Sequence, residues 1–596
     1  MKKTSLFLIL TCVFLVYAPN TRADEPAEFL LRVDLKDISL NDLMAQVDVL
    51  KDLDACAIAK GDENDLKNLD RLGATYEVIE TDPAQKEYFI VYERNFKKLR
   101  SVGLLGDVLY MDEARTLVRT DKEGAVLIAG LGFEIAKLFM DPIRPVSEFS
   151  APSEDVFAVH PEAQDMVDAV SQSNLEALVH DLVDAGGYGT RKSTTAGGHW
   201  AAQYIYDAFV SYGIADVSFH DFDANADNVV GVIPGAVFPE NIFVLGGHYD
   251  SIASLGASEP GADDNASGAA AVLEAARIMS GYQFENTVVF ITFASEEFGL
   301  FGSNAYAREA AQRGDNIIGM LNVDMIGYLA SGDTPDVDII AGSGSSGLRE
   351  LAFWATEEYV PGFPAIEGTG MIGGTSDHAS FTSYGYPAIW FFEDAQRSSP
   401  YIHTANDIVD VSLNSFDLAT NCTKSILATL ASLAEPLDDI GIGHTPLEDT
   451  DDTVNPYPVV ARVVSQEPLA SGYPVVRYAV NEGVFTDLAM TPTGNPDEYR
   501  ADIPANPLNT TVSYYIEAQD VLGYGDTSPA AAPAETYEFE VGEPQTEWLI
   551  AEMEASVIKG SASRSPVINY AAVLLLPAAL LLFWKRNEKR KKSREH

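Results

Sequence analysis

Two adjacent glutamates, Glu296 and Glu297, close the apolar run 287–294 (TVVFITFA). A run of that composition belongs inside a folded protein, and carboxylates are almost never fully buried unless paired or bound to metal. The chain must therefore bring strong counter-charge to this point. Other candidates end apolar runs in the same way: His248 and Asp250 follow NIFVLGG, Asp324 follows IIGMLNV, and His403 follows YPAIWFF after a short loop. Asp263 and Asp264 stand in the Gly-rich stretch PGADDNASG. The most economical reading of this set is two divalent metal ions held by carboxylates and imidazoles.

Continuous apolar strands indicate a sheet buried on both faces, hence mostly parallel. In such a sheet the strand ends share one edge, where ligands bind in the crevice beyond the carboxyl ends. Residues far apart in sequence can then converge. Two ions roughly 3.5–4 Å apart need one bridging carboxylate, two terminal carboxylates, two imidazoles and a further carboxylate to take a proton from water. Either Glu296 or Glu297 can take that proton while its neighbour binds metal. Adjacent side chains of an extended strand point opposite ways, so the strand must end there, and the Gly-rich FGLFGS that follows fits.

The blocks HYDS, PGADDNASG, ASEEFGLFGS, NVDMIGY, TSDHASF and YIHTANDIVD resemble, in order, the zinc aminopeptidases of the bacterial leucyl aminopeptidase type. That co-catalytic dizinc metallopeptidase family also includes glutamate carboxypeptidase and glutaminyl cyclase relatives. The resemblance covers about residues 161–435 and implies an α/β fold, a mixed sheet sandwiched by helices. It also implies two zinc ions (Zn2+) per chain, His248 and Asp324 binding one, Glu297 and His403 the other, and Asp263 bridging them. Glu296 would be the general base. Asp250 would orient His248 through its other ring nitrogen, and Asp264 would partner a cis peptide after the bridging aspartate. Met325, Phe392 and Ile402 match positions that line the side-chain pocket. Some relatives carry a Cys pair and a Tyr just before SDHAS. Here that stretch is GMIGGT, so oxyanion help must come from zinc or another residue. His378 reads as structural, with Ser376 and Asp377 as a helix N-cap.

The remainder of the chain frames this domain. Residues 1–23 read as a signal peptide, and 24–145 as a small α+β or α/β domain, a pro-region or interaction domain. Residues 443–541 alternate short β-rich runs with turn residues, as in an immunoglobulin-like or fibronectin-like β-sandwich. A linker, 542–566, leads to 567–584, an apolar segment long enough to span a bilayer, and to the basic tail 585–596. No internal repeat is evident. Neither Cys56 nor Cys422 has a partner pattern, so no disulfide is expected. The net charge of -50 repels nucleic acid.

The expected function is an exported metallo-aminopeptidase acting on peptide substrates, the free amino group meeting Asp324 and Glu297. The membrane is reached through the C-terminal helix or a sorting signal, and the site lies outside the cytoplasm, at the cell surface or secreted after C-terminal processing. The β-sandwich is a candidate surface for an unknown partner. Two alternatives stay open: a dizinc carboxypeptidase or other exopeptidase of the same fold, and a non-catalytic surface-binding protein. The latter predicts lost ligands, and none is lost.

Overall fold

A computed structural model describes residues 27–542, apart from 37, 93–99, 152–154, 254–257 and 370–374. The expected leader, the linker beyond 542, the membrane segment and the basic tail lie outside the described residues. Among the described residues no helix is long and apolar enough to cross a membrane. The chain divides into two compact units: residues up to Gly443 together with Val463–Pro468, and His444–Arg462 together with the residues from Leu469.

The first unit opens with two four-stranded antiparallel sheets. Strands β1 (Phe29–Asp34), β2 (Asp48–Asp52), β3 (Cys56–Gly61) and β4 (Tyr76–Thr81) stand in the order β2-β3-β1-β4. Strands β5 (Tyr88–Tyr92), β6 (Asp107–Met111), β7 (Arg115–Arg119) and β8 (Glu134–Lys137) stand in the order β6-β7-β5-β8. The two orders are the same topology repeated. Each sheet is completed by a helix before its last strand, α1 (Glu63–Leu72) in the first and α2 (Lys122–Ala129) in the second. Asp62 and Asp121 cap these helices, each side chain accepting backbone N–H groups of the first turn. The sequence reading found no repeat because the duplication lies in strand order and cap position, not in residue identity.

The helices Pro161–Asp168, Gln172–Asp184 and Ala196–Ser211 lead into a mixed eight-stranded sheet. Its strands are β9 (Asp216–Asp223), β10 (Ala226–Ile233), β11 (Phe238–His248), β12 (Asn286–Phe293), β13 (Ile317–Val323), β14 (Val337–Ala341), β15 (Ala365–Glu367) and β16 (Ala388–Phe392). They run in the order β15-β14-β16-β13-β11-β12-β10-β9. The four central strands, β16, β13, β11 and β12, are mutually parallel, and antiparallel pairings flank them. Every residue of β12 and β16 is buried, as expected where helices cover both faces. Side chains alternate accordingly. Phe243, Leu245, Val288, Phe290 and Leu321 enter one core, while Val244, Val289, Ile291 and Met320 enter another on the opposite face. Full burial is worth ~1.5–3 kcal/mol for each such side chain.

The buried helix Gly268–Met279 lies tight against the end of β13. A Cβ at Gly268 would stand 2.5 Å from the Val323 carbonyl, and one at Gly247 would stand equally close. These glycines let two backbones close on the residue before Asp324. Cys56 and Cys422 are both buried and free.

The second unit consists of two antiparallel sheets. In one, residues 457–462 pair with Glu498–Ile503, which pairs with Thr491–Pro492. In the other, Thr510–Gln519 is flanked by Val475–Val480, Gly525–Ser528 and Tyr537–Val541, and Thr486–Ala489 pairs with Val475–Val480. Alternate burial along 457–463 marks one face inward and one outward.

Candidate metal centre

Four parallel strands deliver the central residues. His248 ends β11, Glu296 and Glu297 follow β12, Asp324 follows β13, and His403 lies in the loop after β16. All five are buried. The backbone turns sharply where they leave the sheet: Ser295, Met325 and His403 all have left-handed φ, at 60°, 56° and 55°. Each such residue costs on the order of 1 kcal/mol, a cost borne by a platform already fixed by its core.

Asp264, not Asp263, stands between the two imidazoles. One Asp264 carboxylate oxygen lies 3.3 Å from His248 Nε2 and the other 3.3 Å from His403 Nε2. His248 Nε2 is also 3.3 Å from Asp324 Oδ1, and His403 Nε2 is 3.0 Å from Glu297 Oε2. The peptide after Asp264 is cis. The expectation of a bridging Asp263, with Asp264 beside it, is thereby reversed. Asp263 turns away: its Oδ1 accepts the Gly327 N–H at 2.9 Å, and burial and Glu393 push its carboxyl well above the ordinary range. The Asp407 carboxylate sets this orientation by accepting both the Asp263 and the Asp264 N–H, at 2.9 and 3.1 Å.

His248 Nδ1 lies 3.2 Å from the Asp250 carbonyl and 3.6 Å from its Oδ1. That same Oδ1 accepts the Glu296 N–H at 3.2 Å, so Asp250 links the imidazole to the glutamate loop. Asp324 is held on its other oxygen by the Ser376 hydroxyl at 2.6 Å, which in turn receives the Asn322 amide at 2.7 Å. Ser376 is thus spent on Asp324, and Asp377 makes no side-chain cap bond to the helix His378–Ser383, contrary to the N-cap reading. His378 stacks on Trp390 at 5.4 Å, and burial pulls its pKa down to about 3. Met325, Phe392 and Ile402 come together in one apolar cluster with Ile340, Trp390 and Ala395.

Electrostatically the centre is starved of cations. Burial disfavours the charged imidazole of His248, yet Asp324 and Glu296 overcome it and hold the pKa well above the ordinary value. Glu297 and then Glu134 do the same for His403 against its burial. Burial pushes Glu297 up to about 8, with Asp264 adding to the rise, and raises Glu296 strongly. Asp264 is instead held low, because the two imidazoles outweigh its burial. One oxygen of Glu297 and Nδ1 of His403 are buried without a hydrogen-bond partner. Donor atoms of His248, Glu296 and Asp324 lie within 4.8 Å of one another, as do those of His248, Asp264 and Glu297. Buried carboxylates and imidazoles at such spacing, some without partners, fit the coordination of divalent metal.

Sequence reading missed several residues that shape this centre. Arg191 is fully buried and donates to the carbonyls of Tyr249, Pro260 and Gly261 at 2.6–2.7 Å, tying two ligand loops together. Its signal was weak, a single basic residue in a turn. Asp407 and Ser376 lay within the quoted blocks without an assigned role of this kind. Glu134, from β8 of the second repeat, feels the charges of His403, Asp264, Asp324 and His248, and burial pushes its carboxyl up to about 7.

Comparison with known proteins decides the family. Residues 228–428 match Peptidase family M28. A "Leucine aminopeptidase 1" of Arthroderma gypseum is 30% identical over 297 residues, covering 45% of this chain and 76% of the relative. The chain belongs to peptidase family M28. Other relatives in the same range include a "Probable leucine aminopeptidase" of Arthroderma otae, 33% identical over 35% of this chain and 59% of its own length. A "Probable zinc metalloprotease" of Pyrenophora teres f. teres is 30% identical over 45% of this chain and 68% of its own length. The match thus spans less than two thirds of the Arthroderma otae relative. Among solved structures, the Legionella pneumophila LapA aminopeptidase overlaps 59% of this M28 chain and 99% of its own, at 21% identity and a TM-score of 0.47.

Proposed function

We propose that this M28 chain is an exported zinc aminopeptidase that removes amino-terminal residues from peptides with two zinc ions and Glu296 as general base. The observation that carries the reading is the symmetric placement of two imidazoles on the two oxygens of Asp264, each with one more carboxylate. His248 and Asp324 would hold one ion, His403 and Glu297 the other, with Asp264 between. Bound zinc would supply Lewis acidity, polarising the scissile carbonyl and lowering the pKa of water to about 7. Glu296 accepts the proton of the attacking water and returns it to the leaving amine. Asp250 keeps His248 and the Glu296 backbone in register, and Ser376 keeps Asp324 from rotating. Met325, Phe392 and Ile402 form an apolar wall suited to a leucine-like or methionine-like first side chain.

Export and anchoring rest on sequence features alone, the leader at 1–23 and the apolar segment at 567–584 with its basic tail. The test is a purified full chain, assayed for metal and on a panel of aminoacyl anilides. Two zinc ions per chain, chelator-sensitive activity and preference for Leu or Met over Asp or Glu are expected. Full activity with one ion would sink the two-metal mechanism. Equal cleavage of N-acetylated substrates would point to another peptidase class.

A further inference from the structure

The second amino-terminal repeat does not stand apart from the catalytic loops. Its edge strand β8 is wedged among them. The Lys137 N–H donates to the Gly299 carbonyl at 3.2 Å, two residues beyond Glu297. Phe133 and Ile135 share a buried cluster with Ile252 and Phe298, on the loops that carry Asp250 and Glu297. Ala136 and Leu138, on the alternate side, share another with Leu300 and Ala379. The connection onward is pinned to the peptidase domain by backbone bonds, Arg144 to Ser383, Ser147 to Gly385 and Phe149 to Gly344, at 2.9–3.2 Å. Clusters that mix residues from both sides, with a connection tied down along its length, describe a fixed wall rather than a detachable cover.

Glu134 lies on β8 within this wedge, half-buried, and close enough to interact with both imidazoles and with Asp264 and Asp324. Its carboxylate has no hydrogen-bond partner among the described residues. We propose that Glu134 binds the free α-ammonium group of the substrate, making the second repeat part of the specificity site of the peptidase. This rests on the aminopeptidase reading above. An α-ammonium in a water-poor cleft needs a carboxylate not otherwise engaged. Asp264, Glu297 and Asp324 face the imidazoles as metal ligands, and Glu296 is reserved for the proton. Of the acids left, Asp377 follows Ser376 on the loop that holds Asp324, whereas Glu134 comes from β8 of the docked repeat. This assigns the amino group to Glu134 in place of Asp324 and Glu297.

The test is Glu134→Gln in the full chain with zinc bound, assayed on leucine anilide. It is also titrated with two inhibitors, leucine hydroxamate and its analogue lacking the amino group. Losing one charge-assisted bond should raise KM roughly tenfold or more with kcat nearly unchanged. The preference for the amine-bearing inhibitor should collapse by a similar factor, and Glu134→Asp should recover part of it. A purely structural role would not move that inhibitor ratio. An unchanged ratio overturns the proposal. A rise in kcat/KM also overturns it, since β8 would then be a cover, and loss of one zinc would make Glu134 a ligand instead. If the unaltered chain cleaves N-acetylated substrate as fast as free, the aminopeptidase reading falls first and this proposal with it.

Discussion

The interior of the eight-stranded sheet and its carboxyl edge are built on opposite rules. Inside, β12 buries Val288 and Phe290 in one apolar cluster and Val289 and Ile291 in another on its opposite face. Three and four residues beyond its last position, the same strand delivers Glu296 and Glu297, buried, repelling one another and reached through a left-handed Ser295. The interior gains free energy from every contact, whereas the edge is held in a costly arrangement by that gain. Stability and chemistry should therefore separate by position within a few residues of chain.

The sharpest test of that separation pairs Glu296→Gln with Phe290→Ala. Removing a positioned general base typically costs 10²–10⁴-fold, so Glu296→Gln should lose about that much of kcat while retaining zinc and melting no lower than the parent. Phe290→Ala should do the converse, costing about 3–5 kcal/mol of stability with little change in kcat per folded molecule. The comparison breaks if Glu296→Gln unfolds the chain, or if its turnover stays at the parent level.

A smaller effect distinguishes two neighbours of identical chemistry. Asp264→Asn should weaken zinc binding by at least the roughly 10–100-fold seen for groups that merely support ligands. Asp263→Asn should leave zinc affinity nearly unchanged, because it removes repulsion from Glu393 rather than a ligand. Competitive titration with a zinc chelator reads both. Equal losses would mean that the pair acts as one unit and that the imidazoles do not select between them.

That pair also marks where sequence stopped being legible. The apolar runs and the residues closing them were readable, because hydrophobic continuity predicts buried parallel strands and a shared edge. Asp263 and Asp264 lie in a loop without periodicity, and which of them faces the imidazoles is decided by Asp407, far along the chain, gripping both N–H groups. The repeated topology of the amino-terminal region was hidden because strand order is not a property of residue identity. Glu134 was hidden for a similar reason. On β8 it looks like any strand acid, and only the docking of that strand on Gly299 brings it near His403.

The smallest effect expected is a pH dependence of the chelated protein that the zinc-loaded protein lacks. With metal removed, burial leaves Glu297 and Glu393 raised to about 8, Asp377 to about 7 and Asp407 to about 6. In the unfolded chain these groups titrate near their ordinary values, about 4. A carboxyl raised by folding binds its proton more tightly in the folded state, so its contribution is full below about pH 4 and is lost as pH rises toward 8. The raised imidazoles of His248 and His403 act with the same sign, whereas Asp264, held low, and His378, pulled down by burial, oppose it. Zinc would take the place of the protons on its ligands, and its charge favours the ionised form of the neighbouring carboxylates. The gap in melting temperature between loaded and chelated protein should therefore widen between about pH 5 and 8, by roughly 2–4 °C for each kcal/mol involved. Thermal melts at fixed zinc activity measure it. A gap that stays constant across that range would mean the edge carboxylates do not carry the charge strain that sets them apart from the interior.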